Sequence, residues 1–186
     1  VSLILILLPS AITKAIIYQA NLGSKEKAMT VKVGDKLPAG SLKVMGAEGP
    51  KEFTISELFD GKKVVMLAVP GAFTPGCSMT HLPGFVVSAD KIKAHGVDSI
   101  ICLSVNDAFV MDAWGKAQNA DEIIMAADGS ADYTQSLGLE MDASGFGMGL
   151  RSQRYAMIVD NGTITYLGVD AKAIEASAAD AVLAQL

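Results

Sequence analysis

Val64-Val-Met-Leu-Ala-Val-Pro70-Gly-Ala-Phe-Thr74-Pro-Gly-Cys77-Ser-Met-Thr-His-Leu-Pro-Gly-Phe85 is the stretch whose reading decides the fold. Residues 63–69 form an apolar, β-branched run closed by a turn signal, which reads as a buried strand. Pro70-Gly71 ends that strand, and Thr74-Pro75-Gly76 turns the chain into a helix predicted to begin near Cys77. A cysteine in the first turn of a helix meets the positive end of the macrodipole and backbone N–H groups that lack intrahelical partners. Both favour an anionic sulfur. The thiolate is the nucleophilic form, so this position marks Cys77 for chemistry rather than for packing.

Outward from this unit, strands and helices alternate. Strands are predicted at 41–45, 51–55 (an early hairpin), 63–69, 98–105, 122–126, 155–160 and 163–168, and helices at 77–95, 107–118, 131–137 and 177–186. Asn161-Gly162 is the strongest hairpin signal in the chain. Pro83 is expected to kink the first helix, and Asp107 and Ser177 read as N-caps. Gly145-Phe-Gly-Met-Gly149 neither follows a strand nor opens a helix, so it is a flexible loop before the Arg154 strand rather than a dinucleotide fingerprint. Strand–helix–strand units followed by an antiparallel hairpin and a final helix predict a thioredoxin-like α/β sandwich, a central mixed β-sheet flanked by helices.

Composition narrows the function classes. A chain of 186 residues, 51% hydrophobic, is long enough for one good core and implies one domain. A net charge of −5 argues against a nucleic-acid footprint. Two cysteines make no disulfide framework, which points to a reducing, cytoplasmic setting. His81 and His95, scattered singly with the two cysteines, lack metal-ligand spacing, so no metal site is expected. His81 follows Cys77 by four residues and falls on the same helical face, at the edge of the site. The nine methionines read as core filler. At the start, residues 1–9 are an apolar run too short for a membrane span and without the basic flank of a signal peptide. Residues 1–28 are therefore read as a leader or extraneous segment and 29–186 as the domain. Lys14, Lys25 and Lys27 leave a plastid or mitochondrial leader open.

Three residues before Cys77 stands Thr74 rather than a second cysteine, so no vicinal Cys-x-x-Cys pair exists and a general thiol oxidoreductase is disfavoured. What remains is one activated sulfur beside a hydroxyl. Pro70-x-x-x-Thr74-x-x-Cys77 resembles the signature of the peroxiredoxin family, and the longer string through Phe85 resembles its type II, peroxiredoxin-five-like group. Similar runs follow in order at 102–110, 127–130, 137–140 and 151–160. The resemblance implies a thiol-dependent peroxidase without metal, haem or flavin. Cys77 would be the peroxidatic cysteine, Thr74 would place its hydroxyl between sulfur and peroxide, and Pro70 would shield the sulfur. The same resemblance selects Arg154 over its twin Arg151. A guanidinium there would stabilise negative charge on sulfur and on the leaving oxygen.

Cys102, in the apolar run 97–105, reads on its own as a small core residue. Type II relatives carry a cysteine at the same offset, which makes Cys102 a candidate resolving partner. No cysteine follows it. Either Cys77 and Cys102 join after local unfolding, or an external thiol reduces the sulfenic acid. The resemblance favours the external route, with glutathione and glutaredoxin as reductants and thioredoxin as the alternative. It also implies a homodimer, hydrogen peroxide and alkyl hydroperoxides as substrates, and a role in redox homeostasis. A peroxide-sensing switch protein with little turnover would need the same thiolate.

Overall fold

The computed structural model describes residues 30–186, so the leader read at 1–28 lies outside the described residues. A seven-stranded sheet runs through the molecule in the order β2-β1-β5-β4-β3-β8-β9. Its strands are β1 (Ser41–Gly46), β2 (Gly49–Thr54), β3 (Lys63–Val69), β4 (Ser99–Ser104), β5 (Ile123–Ala127), β8 (Arg154–Asp160) and β9 (Thr163–Asp170). The parallel core β3-β4-β5 is flanked by antiparallel pairings of β1 on β5 and β8 on β3. This is the mixed α/β sandwich that the pattern predicts.

The central strands read as unbroken apolar runs because both of their faces are covered. Val65, Leu67 and Val69 of β3 point into one core layer, and Val64, Met66 and Ala68 into the other. The first layer is closed by α2 (Leu82–Ala94), α3 (Ala108–Ala117) and α5 (Ala179–Leu183), and the second by α1 (Ile55–Phe59) and α4 (Asp132–Ser136). Leu82, Phe85 and Ile92 of α2 are fully buried, each contributing about 2 kcal/mol of transfer free energy. Asp107 caps α3 through Val110 N–H at 2.9 Å, as expected. Asn161 and Gly162 both take positive φ (45° and 73°), the type I′ geometry that matches the twist of β8–β9.

Four local readings change. The helix of residues 77–95 is not one kinked rod: a π turn, Cys77–His81, precedes α2. Leu82 N–H bonds the Cys77 carbonyl five residues back, and Pro83, which has no N–H to donate, sits in the first turn of α2 rather than bending a continuous helix. Ser177 is not an N-cap, because α5 starts two residues later behind Ala178 and the main-chain groups of Ser177 are engaged elsewhere. Ile55 leaves the strand and opens α1, held by a reciprocal capping box between Thr54 and Glu57. The glycine-rich loop is the hydrogen-bonded tip of a small hairpin, β6 (Glu140–Asp142) with β7 (Leu150–Ser152).

Candidate active site

The parallel strands all end toward one edge of the sheet, the place where open α/β folds build their sites. β3 delivers Pro70 there. Antiparallel β8 begins at the same edge, since Tyr155 pairs with Ala68. Its register places Arg154 beside the loop that carries Cys77. The loop is fastened from β4: Asn106 Oδ1 accepts from Ala72 N–H (3.0 Å), and the one Ser104 hydroxyl proton is shared between Asn106 Oδ1 (2.8 Å) and the Val69 carbonyl (3.2 Å). Phe73 is held at φ 62°, a left-handed conformation uncommon for an aromatic residue. Thr74 then donates its hydroxyl to the Gly71 carbonyl at 2.8 Å, closing the turn, while its own carbonyl accepts Ser78 N–H at 2.9 Å and starts the helix.

Cys77 is fully buried in the layer formed by α2 and α3. Arg154 Nη2 donates to its Sγ at 3.6 Å, and Nη1 donates to His81 Nδ1 at 3.1 Å. The guanidinium lies so close to the backbone that a Cβ on Gly76 would sit 3.3 Å from Nη2. The histidine is positioned from both ends. Arginine cannot accept and a carbonyl cannot donate, so Nδ1 is the acceptor and Nε2–H donates to the Ser177 carbonyl at 2.9 Å. Burial lowers the His81 pKa to about 4; the Ser177 carbonyl bond opposes that shift and the Arg154 charge adds to it. His81 is therefore a neutral link that orients the guanidinium. Behind the π turn, Trp114 Nε1 donates to Ser78 Oγ at 3.0 Å.

Residues 32–183 match the Redoxin family, and Peroxiredoxin-2D of Arabidopsis thaliana is 44% identical over 142 residues, 75% of this chain and 88% of that protein. This chain is a peroxiredoxin of the redoxin family. Peroxiredoxin-2E-2, chloroplastic, of Oryza sativa is 46% identical over 147 residues, 76% of this chain and 65% of that one. The crystal structure of reduced Prx3 from Vibrio vulnificus in complex with hydrogen peroxide is 58% identical, with a TM-score of 0.81 over 83% of this chain and 98% of the other. These relatives support a thiol-dependent peroxidase and place it among the type II peroxiredoxins with the thioredoxin-like fold.

Of the residues singled out by sequence, the peroxiredoxin fold gathers Pro70, Thr74, Cys77 and Arg154 at one sheet edge. Cys102 occupies a different setting. It lies fully buried in β4, paired with Leu67 and Met125 of the flanking strands. Both cysteines are free, and burial foremost, with the neighbouring Cys77 second, pushes the Cys102 thiol far up. Arg151 is spent on main-chain carbonyls, donating to Met148 (2.9 Å) and Val105 (2.9 Å), and so ties the β6–β7 hairpin to the end of β4. Sequence reasoning missed the orienting role of His81, although its i+4 spacing from Cys77 was visible, and missed Asn106 and Trp114 as supports. A cleft of about 570 Å³ near Ser41, Asp107 and Tyr133 contains none of these groups. Its Asp128 is committed to capping the N–H groups of Tyr133 and Thr134. Among the described residues, no helix is long and apolar enough to cross a membrane.

Proposed function

We propose that this peroxiredoxin reduces hydrogen peroxide and small alkyl hydroperoxides at Cys77. The Cys77 thiolate attacks one peroxide oxygen, the O–O bond breaks, and the departing oxygen takes a proton to leave as water or alcohol. Cys77 becomes a sulfenic acid. The observation that carries the reading is the 3.6 Å approach of Arg154 Nη2 to Cys77 Sγ. A guanidinium there favours the anionic sulfur and offers N–H donors to the leaving oxygen. Pro70 and the Thr74 turn shape the loop that would seat the peroxide, with the Thr74 hydroxyl exchanging its Gly71 carbonyl for the substrate.

The sulfenic acid is reduced by an external thiol, glutathione with glutaredoxin being favoured and thioredoxin the alternative; two thiols then become one disulfide with release of water. Support comes from Cys102. Its raised pKa leaves it little thiolate, and its main chain is locked between β3 and β5. A homodimer would bury the apolar rim of the site, where Phe73 of the Cys77 loop (57% exposed), Phe109 in the first turn of α3 (66%) and Phe146 at the tip of the β6–β7 hairpin (84%) stand exposed. Free thiols accord with a reducing compartment, the cytoplasm or an organelle interior, and with a role in redox homeostasis.

The test is to oxidise the reduced protein with one equivalent of peroxide and record its intact mass, with dimedone trapping in parallel. One added oxygen, trapped at Cys77, is expected. Loss of two hydrogens would instead assign Cys102 as the resolving thiol, and no rapid change would refute the peroxidase site.

A further inference from the structure

Arg154 and Asp170 face each other directly in the antiparallel β8–β9 ladder. Such partners leave the sheet on the same face with Cβ atoms about 5 Å apart, within reach of an ion pair. That pair is not made: among the described residues, the ion pairs are Lys93 with Glu122 and Lys116 with Asp112. The Asp170 carboxylate is occupied by the strap of residues 171–178. Oδ2 accepts from Ser177 N–H (2.7 Å) and Glu175 N–H (3.0 Å), and Oδ1 accepts from Ala176 N–H (3.1 Å).

The strap is held down at further points. Tyr166 Oη donates to the Ala176 carbonyl at 2.6 Å. Ala176 approaches β9 so closely that a Cβ on Gly168 would lie 2.2 Å from its carbonyl oxygen, a contact only glycine tolerates. Ser177 is thereby fully buried with its carbonyl aimed at His81 Nε2. From Asp170 to the sulfur the contacts are continuous: strap, Ser177, His81, Arg154, Cys77.

We propose that Asp170 is a positioning residue for the Cys77 site. The strap keeps its carboxylate off Arg154, and the carboxylate keeps the strap where Ser177 fixes His81 under the guanidinium. Release of the strap frees Asp170 to pair with Arg154 and draw it from the sulfur. This rests on the reading of Cys77 and Arg154 as the reacting site.

The test measures the second-order rate constant for oxidation of the reduced protein by hydrogen peroxide. Asp170→Asn and the milder Tyr166→Phe are made alone and in an Arg154→Met background, with thermal unfolding as a check on folding. Asp170→Asn should slow oxidation by about tenfold to a hundredfold, the scale expected for a misplaced catalytic group, and Tyr166→Phe by less. In the Arg154→Met background neither should slow it further, because the group they position is gone. Wild-type rates in both single variants overturn the proposal. So do losses that multiply with that of Arg154→Met, since a general structural defect would not depend on the arginine. If wild-type Cys77 itself resists oxidation, the underlying site reading falls and the proposal falls with it.

Discussion

Acid should weaken this fold through one buried side chain, and His81→Gln should remove the effect. In the folded protein His81 is neutral, with its pKa lowered from 6.5 to about 4, chiefly by burial. The unfolded chain takes up a proton near pH 6.5, so below that value the unfolded state holds the extra proton and gains. The stability due to neutral His81 is fully present above pH 6.5 and is lost as pH falls toward 4, at about 1.4 kcal/mol per unit. Across the whole window this amounts to about 3 kcal/mol, and between pH 6.5 and pH 5 to about 2 kcal/mol, before most carboxylates titrate. Urea unfolding at pH 7.5, 6.5 and 5.0 measures it. Glutamine keeps a donor for the Ser177 carbonyl and does not titrate, so the wild type should lose about 2 kcal/mol more than the variant between pH 6.5 and 5. Parallel curves for the two proteins would show that His81 is charged in the fold, and the assignment of Nδ1 as acceptor from Arg154 would be wrong.

Other perturbations separate the parts of the site. Arg154→Lys keeps the charge but replaces a fork that serves Cys77 and His81 together, so peroxide oxidation of Cys77 should slow by about a hundredfold or more; a rate near wild type in stopped-flow would refute a directional role. Cys102→Ala should leave both the oxidation step and turnover with glutathione and glutaredoxin unchanged, whereas loss of turnover alone would identify Cys102 as the resolving thiol. Phe85→Leu removes a fully buried ring that meets the His81 ring edge-on at 5.7 Å. It should destabilise by about 2 kcal/mol, lowering Tm by about 4–8 °C; an unchanged Tm would mean that the ring contact contributes nothing.

The decisive strand, loop and cysteine were readable because their signals are local: an apolar run, a proline stop and a helix start. Asp107 and Asn161-Gly162 were readable for the same reason. The capping box of Thr54 and Glu57 was equally local, and its spacing could have revealed α1. Ser177 misled because its residue type suits a cap, while the strap had tertiary uses for its backbone. Nothing local announces the π turn, whose extra residue shifts the chain between the loop and α2. The resemblance chose Arg154 over Arg151; from the residues alone that choice needs strand parity. Arg154 alternates with Ala156 and Ile158, which face the Cys77 layer, and that pattern becomes usable only once β8 is assigned its first residue.

Trp114 is the only tryptophan in the chain, and its single hydrogen bond ends on Ser78, the residue next to Cys77. The protein thus carries its own optical gauge. Indole emission follows the polarity and hydrogen bonding around the ring, so any rearrangement that pulls Ser78 away changes the signal without an added label. A fluorescence change that coincides with sulfur oxidation would mean that the π turn moves as the S–O bond forms. A change delayed until the reducing thiol arrives would mean that the turn stays shut over the oxidised sulfur and opens only for its reductant.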